Sequence, residues 1–166
     1  MLFRSGYDVR VVTLPDEDVL TYKPPSNVHG ILAAPPCTEF AVSGARWWAT
    51  KPSYLLQEAI DVWRRCIAII GMTKPEWWAL ENPVGRLRKW AGPPAWSFQP
   101  WEYGDAQFKR TLIWGTAVKP KPTVTVQPPR TKENQRVWRA APSPERAALR
   151  SITPPGFARA FFEANP

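Results

Sequence analysis

The chain has 166 residues, 44% of them hydrophobic and 22% charged, with a formal net charge of +8. That is enough chain for one domain with a real core, and enough positive charge to favour an anionic partner. Two cysteines, Cys37 and Cys66, and one histidine, His29, leave no disulfide framework, no paired thiolate metal site and no serine–histidine centre. No apolar run reaches the ~18 residues of a membrane span and the first residues lack a signal-peptide core, so no membrane partner is expected. The expected location is a reducing cytoplasm, where Cys37 stays a free thiol.

The 20 prolines and 10 tryptophans are unusually many for this length. Prolines fall in doublets at Pro24-Pro25, Pro35-Pro36, Pro93-Pro94, Pro128-Pro129 and Pro154-Pro155, which mark turns and rigid connectors. Residues 8–14 are β-branched and predict a strand; a turn at Asp16-Glu17-Asp18 and a short strand over 19–22 follow. Residues 28–34 are continuously apolar, as in a central parallel strand covered on both faces. Residues 46–51 read as a loose segment. Leu55, Leu56, Ala59, Ile60, Trp63, Ile67 and Ile70 recur at helical spacing, predicting a helix over 52–71 with Gly71 as its stop.

Farther along, residues 75–80 predict a strand, 84–90 a short basic helix, 96–103 an irregular segment or edge strand, and 108–116 a strand. Residues 117–143 read as an extended, proline-rich basic excursion. Helices are predicted over 144–150 and 156–164, the second with Phe157, Phe161 and Phe162 on one side. Strand and helix alternate, so the expected class is α/β, a Rossmann-like and mostly parallel sheet with flanking helices in a single domain over 1–166. Basic residues thicken after position 108, including Lys109, Arg110, Lys119, Lys121, Arg130, Lys132, Arg136, Arg139, Arg146 and Arg150, so that half is expected to face phosphates.

Two turns carry the chemistry. Ala33-Ala34-Pro35-Pro36-Cys37-Thr38-Glu39-Phe40 ends one predicted strand, and Glu81-Asn82-Pro83 ends another. In an open α/β sheet the carboxyl ends of strands are where ligands bind. A free cysteine is more often a small buried hydrophobe, which suits Cys66 in the helical apolar stripe. Cys37 instead follows two prolines at a strand end and reads as a nucleophile. Glu81 reads as a carboxylate at the start of the helix over 84–90, a role compatible with serving as an acid in the same cleft. A thiol beside a carboxylic acid is what covalent attack on a pyrimidine ring needs.

This pattern resembles the DNA cytosine-5 methyltransferases, and most of all their compact bacteriophage-encoded forms. In that family a Pro-Cys turn with a nearby Phe carries the nucleophile, matched here by Pro36-Cys37 and Phe40. A Glu-Asn turn carries the acid, matched by Glu81-Asn82. Residues 103–111 look like a diverged copy of the family's Gln-x-Arg-x-Arg strand, and residues 151–158 are similar to its late proline-containing segment. These landmarks span roughly residues 6–162 in the family's order. Thr38, Pro83, Lys109 and Thr111 depart from the family's usual residues.

The resemblance implies S-adenosylmethionine as cofactor and DNA as partner. Cys37 and Glu81 would be catalytic, and Asn82, Gln107, Lys109, Thr111 and Arg46 would contact the substrate. Asp16, Asp18, Pro35, Ser151 and Thr153 would line the cofactor's place. Arg46, Lys109 or Arg110 would favour the thiolate by nearby positive charge. No metal is implied. The chain opens at Met1-Leu2-Phe3-Arg4-Ser5-Gly6 without the family's Phe-x-Gly-x-Gly loop. The expectation is therefore a fold lacking the family's first strand and helix, with a homo-oligomer or complementing chain at an exposed sheet edge. The alternative function is a catalytically incomplete DNA-binding relative that needs an upstream segment or partner. An amino-methyltransferase would need an Asp/Asn-Pro-Pro-aromatic turn, which neither turn supplies.

Overall fold

A computed structural model of the chain describes residues 7–133 and 152–166. Its class is α/β, with a four-stranded mixed sheet in the order β1 (Gly30–Ala33), β2 (Trp77–Pro83), β4 (Thr111–Gly115), β3 (Trp96–Phe98). Strand β1 (Gly30–Ala33) and strand β2 (Trp77–Pro83) pair in parallel, from Gly30 opposite Trp77 to Ala33 opposite Leu80. A parallel pair needs a long crossover, and here it contains a six-residue 3-10 helix, η1 (Val42–Trp47), and the long helix α1 (Ser53–Thr73). Gly30 is required by packing, since a Cβ there would lie 2.2 Å from the Trp77 ring.

Contacts divide the chain into two compact units, one with residues up to Ala95 together with Ile113–Ala117, the other with Trp96–Leu112 and residues from Val118 onward. In the first unit α1 buries Ala59, Ile60 and Ile70 of the predicted stripe, together with Ile69 beside it, while Ile67 is exposed. The helix passes Gly71 and stops at Lys74, which takes the left-handed conformation and returns its N–H to the Ile70 carbonyl just before Pro75. Ala79 and Leu80 in β2 and Ile113 in strand β4 (Thr111–Gly115) are also buried. Trp78 at the start of β2 accepts from Thr116 and Ala117 beyond the end of β4, so β4 runs antiparallel to β2. Arg65 of α1 donates to the Val19 and Tyr22 carbonyls, fixing the segment before β1.

The second unit is organised by rings. Strand β3 (Trp96–Phe98), a 3-10 turn η2 (Pro100–Tyr103) and helix α3 (Pro155–Ala164) bring Phe98 and Phe157 into a parallel stack at 3.7 Å. Trp96, Tyr103 and Phe161 pack against Phe157. The free amides at the start of α3 are met by Asp105, whose carboxylate accepts from Gly156 and Phe157. At its other end Asn165 exchanges hydrogen bonds with both backbone groups of Val118.

Several expectations are corrected. Residues 8–14 form no strand: Val9, Val11 and Leu14 are exposed, and β-branched composition without a ladder partner does not make a strand. Residues 19–22 are a turn, because the Asp18 carboxylate accepts from Leu20 N–H and its carbonyl accepts from Thr21 and Tyr22. Strand β1 is at the sheet's edge and not at its centre, with Leu32 exposed. The sheet is mixed and not mostly parallel, since β4 is reversed. Residues 46–51 are not loose but close in a run of turns that includes Thr50 and Lys51 N–H to the Trp47 carbonyl. The basic helix over 84–90 shrinks to the single turn α2 (Arg88–Ala91). The helix predicted over 144–150 lies outside the described residues.

Candidate active site

Because β1 and β2 run in parallel and in register, their carboxyl ends emerge side by side in the first unit. Ala33 sits opposite Leu80, so the next residues on each strand are Ala34-Pro35 and Glu81-Asn82. Asn82, wholly buried, donates its side-chain amide to the Pro35 carbonyl at 3.1 Å. That bond ties the proline turn of one strand to the end of the other. Pro35 is buried as well, with its carbonyl turned to Asn82. Alternation along β2 puts Glu81 on the face opposite Asn82, half-buried at the strand's end. Glu81 is a strand residue and not the start of a helix, since Arg88 begins α2 seven positions later.

After Pro36 the chain turns sharply: the Cys37 carbonyl accepts from Phe40 and Ala41 N–H at 3.0 and 2.8 Å. Cys37 is half-buried and not in a disulfide. The turn is stitched to the segment following β2, with Ala41 opposite Gly85 in an antiparallel bridge, Val42 N–H on the Val84 carbonyl and Arg86 N–H on the Phe40 carbonyl. A Cβ on Gly85 would lie 1.9 Å from the Phe40 carbonyl oxygen, so only glycine permits this approach. Phe40 is fully buried and meets the Trp90 ring edge-on.

Sequence reasoning missed the ion cluster beneath this turn. Glu39, 8% exposed, pairs with the Lys51 ammonium, and the Arg86 guanidinium lies 4.0 Å from its other oxygen. Arg86 Nε donates to the Glu39 carbonyl at 2.7 Å, and its guanidinium covers the Trp48 ring at 4.4 Å. One arginine thus holds the Cys37 turn by backbone, charge and stacking together. The available signal was weak: an acid in a turn that is otherwise apolar or neutral, and an arginine four residues after Asn82.

The other expected residues are placed as follows. Arg46, on η1, stacks its guanidinium on the exposed Trp47 ring at 4.3 Å. Asp16 is exposed in a turn, and Asp18 spends its carboxylate on Leu20 N–H. Gln107, Lys109 and Thr111 do not alternate on one strand, because β4 begins only at Thr111. Thr111 is buried and donates to the Lys109 carbonyl, while Gln107 is exposed. These three belong to the second unit, as does the exposed Thr153. Ser151 lies outside the described residues. Cys66 is half-buried in α1, where desolvation pushes its thiol pKa up, as suits a structural residue.

Among the described residues no group of His, Cys, Asp or Glu is arranged to hold a metal ion, and no helix is long and apolar enough to cross a membrane. Compared with protein-family models and with curated protein sequences, the chain matches none.

Proposed function

We propose that this chain is a DNA cytosine-5 methyltransferase-like protein whose own residues activate cytosine through a covalent Cys37 adduct assisted by Glu81. The observation that carries the reading is the parallel, in-register pairing of β1 and β2. It sets a thiol turn beside a carboxylate strand end, and Asn82 locks the two together. The α/β class and the parallel β1–β2 pair also support it, although the sheet as a whole is mixed.

Carbon 5 of cytosine is a poor nucleophile until a thiolate adds to carbon 6. In that step the Cys37 sulfur bonds to carbon 6, and the ring's double-bond electrons move to carbon 5. A proton held by Glu81 toward ring nitrogen 3 offsets the charge that develops there. When carbon 5 then takes a proton from water, loss of its original hydrogen and expulsion of the thiolate restore the ring. The net change is hydrogen exchange at carbon 5. A base stacked in a duplex cannot be reached in this way, so the target must be flipped out or already single-stranded.

In the resembling family S-adenosylmethionine supplies the methyl group. Two of the residues matched to it here, both in the first unit, do not support its place. Asp18 is engaged in its own turn, Asp16 is exposed, and the strand that would carry both to the sheet's edge is absent among the described residues. The chemistry assigned to this chain is therefore that of the base alone. The same observation favours a second reading: a DNA-binding relative that is catalytically incomplete until an upstream segment or partner chain supplies the cofactor's place.

The test is deuterium exchange at carbon 5 of a cytosine oligonucleotide in heavy water, with no cofactor present. Exchange should occur, vanish in Cys37→Ser, and slow about 100-fold in Glu81→Gln. Absence of exchange, or exchange indifferent to Cys37→Ser, overturns the catalytic reading. Adding S-adenosylmethionine then separates the two readings, since methylated product appears only if this chain can hold it.

A further inference from the structure

The two segments stitched around the Cys37 turn share an unusual composition. Residues 40–57 and 82–95 contain Arg46, Lys51, Arg86, Arg88 and Lys89, and Trp47, Trp48 and Trp90, but neither Asp nor Glu. They are neighbours in space: the Ala41–Gly85 bridge and the Val42–Val84 hydrogen bond run between them, and Arg86 lies on Trp48. Lys51 and Arg86 are committed to Glu39. Arg46, Arg88 and Lys89 remain exposed at the surface.

Beside the buried Phe40 and Leu87, several apolar groups here are displayed. Trp47 is 50% exposed and Val42 57% exposed on η1, and Trp90 is 36% exposed at the end of α2. Arg46 covers one face of Trp47, which pre-sets an indole–guanidinium platform. A surface of exposed indoles and exposed cations, with no acid in either segment, is complementary to a polyanion that offers flat apolar rings. A duplex offers phosphates, but its bases are stacked on one another and cannot lie on an indole. A single strand offers both.

We propose that η1 and the segment after β2 form a stacking track for single-stranded DNA that leads to the Cys37 turn. This deepens the cytosine reading by naming its substrate as unpaired. It rests on that reading only for what happens at Cys37, and binding along the track has its own readout. Arg46 and Trp47 sit on the element whose N-terminal flank, Ala41, donates to the Cys37 carbonyl, so a base on Trp47 is one short element from the thiol. Trp90 reaches the same turn through Phe40.

The experiment is anisotropy of the full chain with a labelled 20-nucleotide deoxycytidine-rich single strand, its duplex, and the matching oligoribonucleotide. The single strand should bind at least about tenfold more tightly than the duplex. Trp47→Ala should weaken it about tenfold, and Trp47→Phe should keep most of the affinity, in line with stacking on one base. Unchanged thermal unfolding of Trp47→Ala, expected for an exposed ring, keeps the comparison clean; if that variant misfolds, Arg46→Gln with Val42→Ser serves in its place. Equal or tighter duplex binding, or single-strand affinity indifferent to these variants, overturns the track. Tighter binding of the oligoribonucleotide overturns the assignment to DNA. Loss of carbon-5 exchange with the track intact would remove the reaction and leave the track, and exchange that persists when the Trp47 variants bind normally would do the reverse.

Discussion

At the scale of single residues, the Cys37 turn depends on side chains that are not themselves chemical. Asn82 has no exposed surface and gives its amide to the Pro35 carbonyl, across the two strand ends. Asn82→Ala should leave that carbonyl without its partner and destabilise the fold by about 1–3 kcal/mol, the usual cost of an orphaned buried polar group. Arg86 acts from the other side, through Nε to the Glu39 carbonyl and its planar face on Trp48. Lysine keeps the charge but not the fork or the plane, so Arg86→Lys should lose nearly as much stability as Arg86→Gln. Urea titration of the three variants reads both effects, and full rescue by lysine would mean that Arg86 contributes charge alone. The turn residues were legible in sequence because a thiol after two prolines is conspicuous. Glu39 and Arg86 were not, since their meeting depends on the register of Ala41 with Gly85, 44 positions away, which no local pattern encodes.

At the scale of elements, hydrophobic period decided what could be read. Helix α1 is amphipathic and was legible to within two residues; its end moved from Gly71 to Thr73 because the following Pro75 sets the stop and Gly71 meets nothing that requires it. Residues 8–14 carry the composition of a strand but lack a partner ladder, and composition alone cannot supply one. The reversed direction of β4 was invisible for the same reason, since a strand's sequence does not state which way its neighbour runs. In the second unit the rings around Phe157 are anchored by Tyr103, which is 4% exposed and donates its hydroxyl to the Pro120 carbonyl. Burial first, and the neighbouring Glu102 charge second, push its phenol up to about 12. Below pH ~10, the ordinary phenol value, Tyr103 is protonated both folded and unfolded and contributes no pH dependence. Between that value and about 12 the unfolded chain has lost the proton that the folded chain keeps, so stability falls as pH rises. Tyr103→Phe should cost about 1 kcal/mol at neutral pH from the lost hydrogen bond, and should flatten the alkaline decline. Denaturation midpoints at pH 7, 10 and 11 measure both, and an unchanged alkaline slope would show that the phenol titrates normally.

For the whole molecule, the proposed DNA partner raises the question of which part of the +8 net charge it would meet. Sequence alone places it after position 108, where basic residues crowd. The described part of that region already spends some of them internally, with Arg110 on the Ser97 hydroxyl and Arg130 over the Phe108 ring. In the first unit Arg88 and Lys89 are exposed, and no acid occurs among residues 82–95. Salt dependence can tell these regions apart, because each phosphate neutralised on a single strand adds about 0.7 to the slope of log affinity against log salt. If the DNA follows the track beside Cys37, Arg88→Gln with Lys89→Gln should flatten that slope by about 1.4. Lys119→Gln with Lys121→Gln, equally exposed but in the second unit, should change it by less than half as much. Titrations of the same single strand between 50 and 200 mM salt decide the matter, because both double variants remove the same formal charge and only position differs. A larger loss from the Lys119 and Lys121 pair would return the phosphate contacts to the C-terminal half and leave the cations near Cys37 as solvated surface.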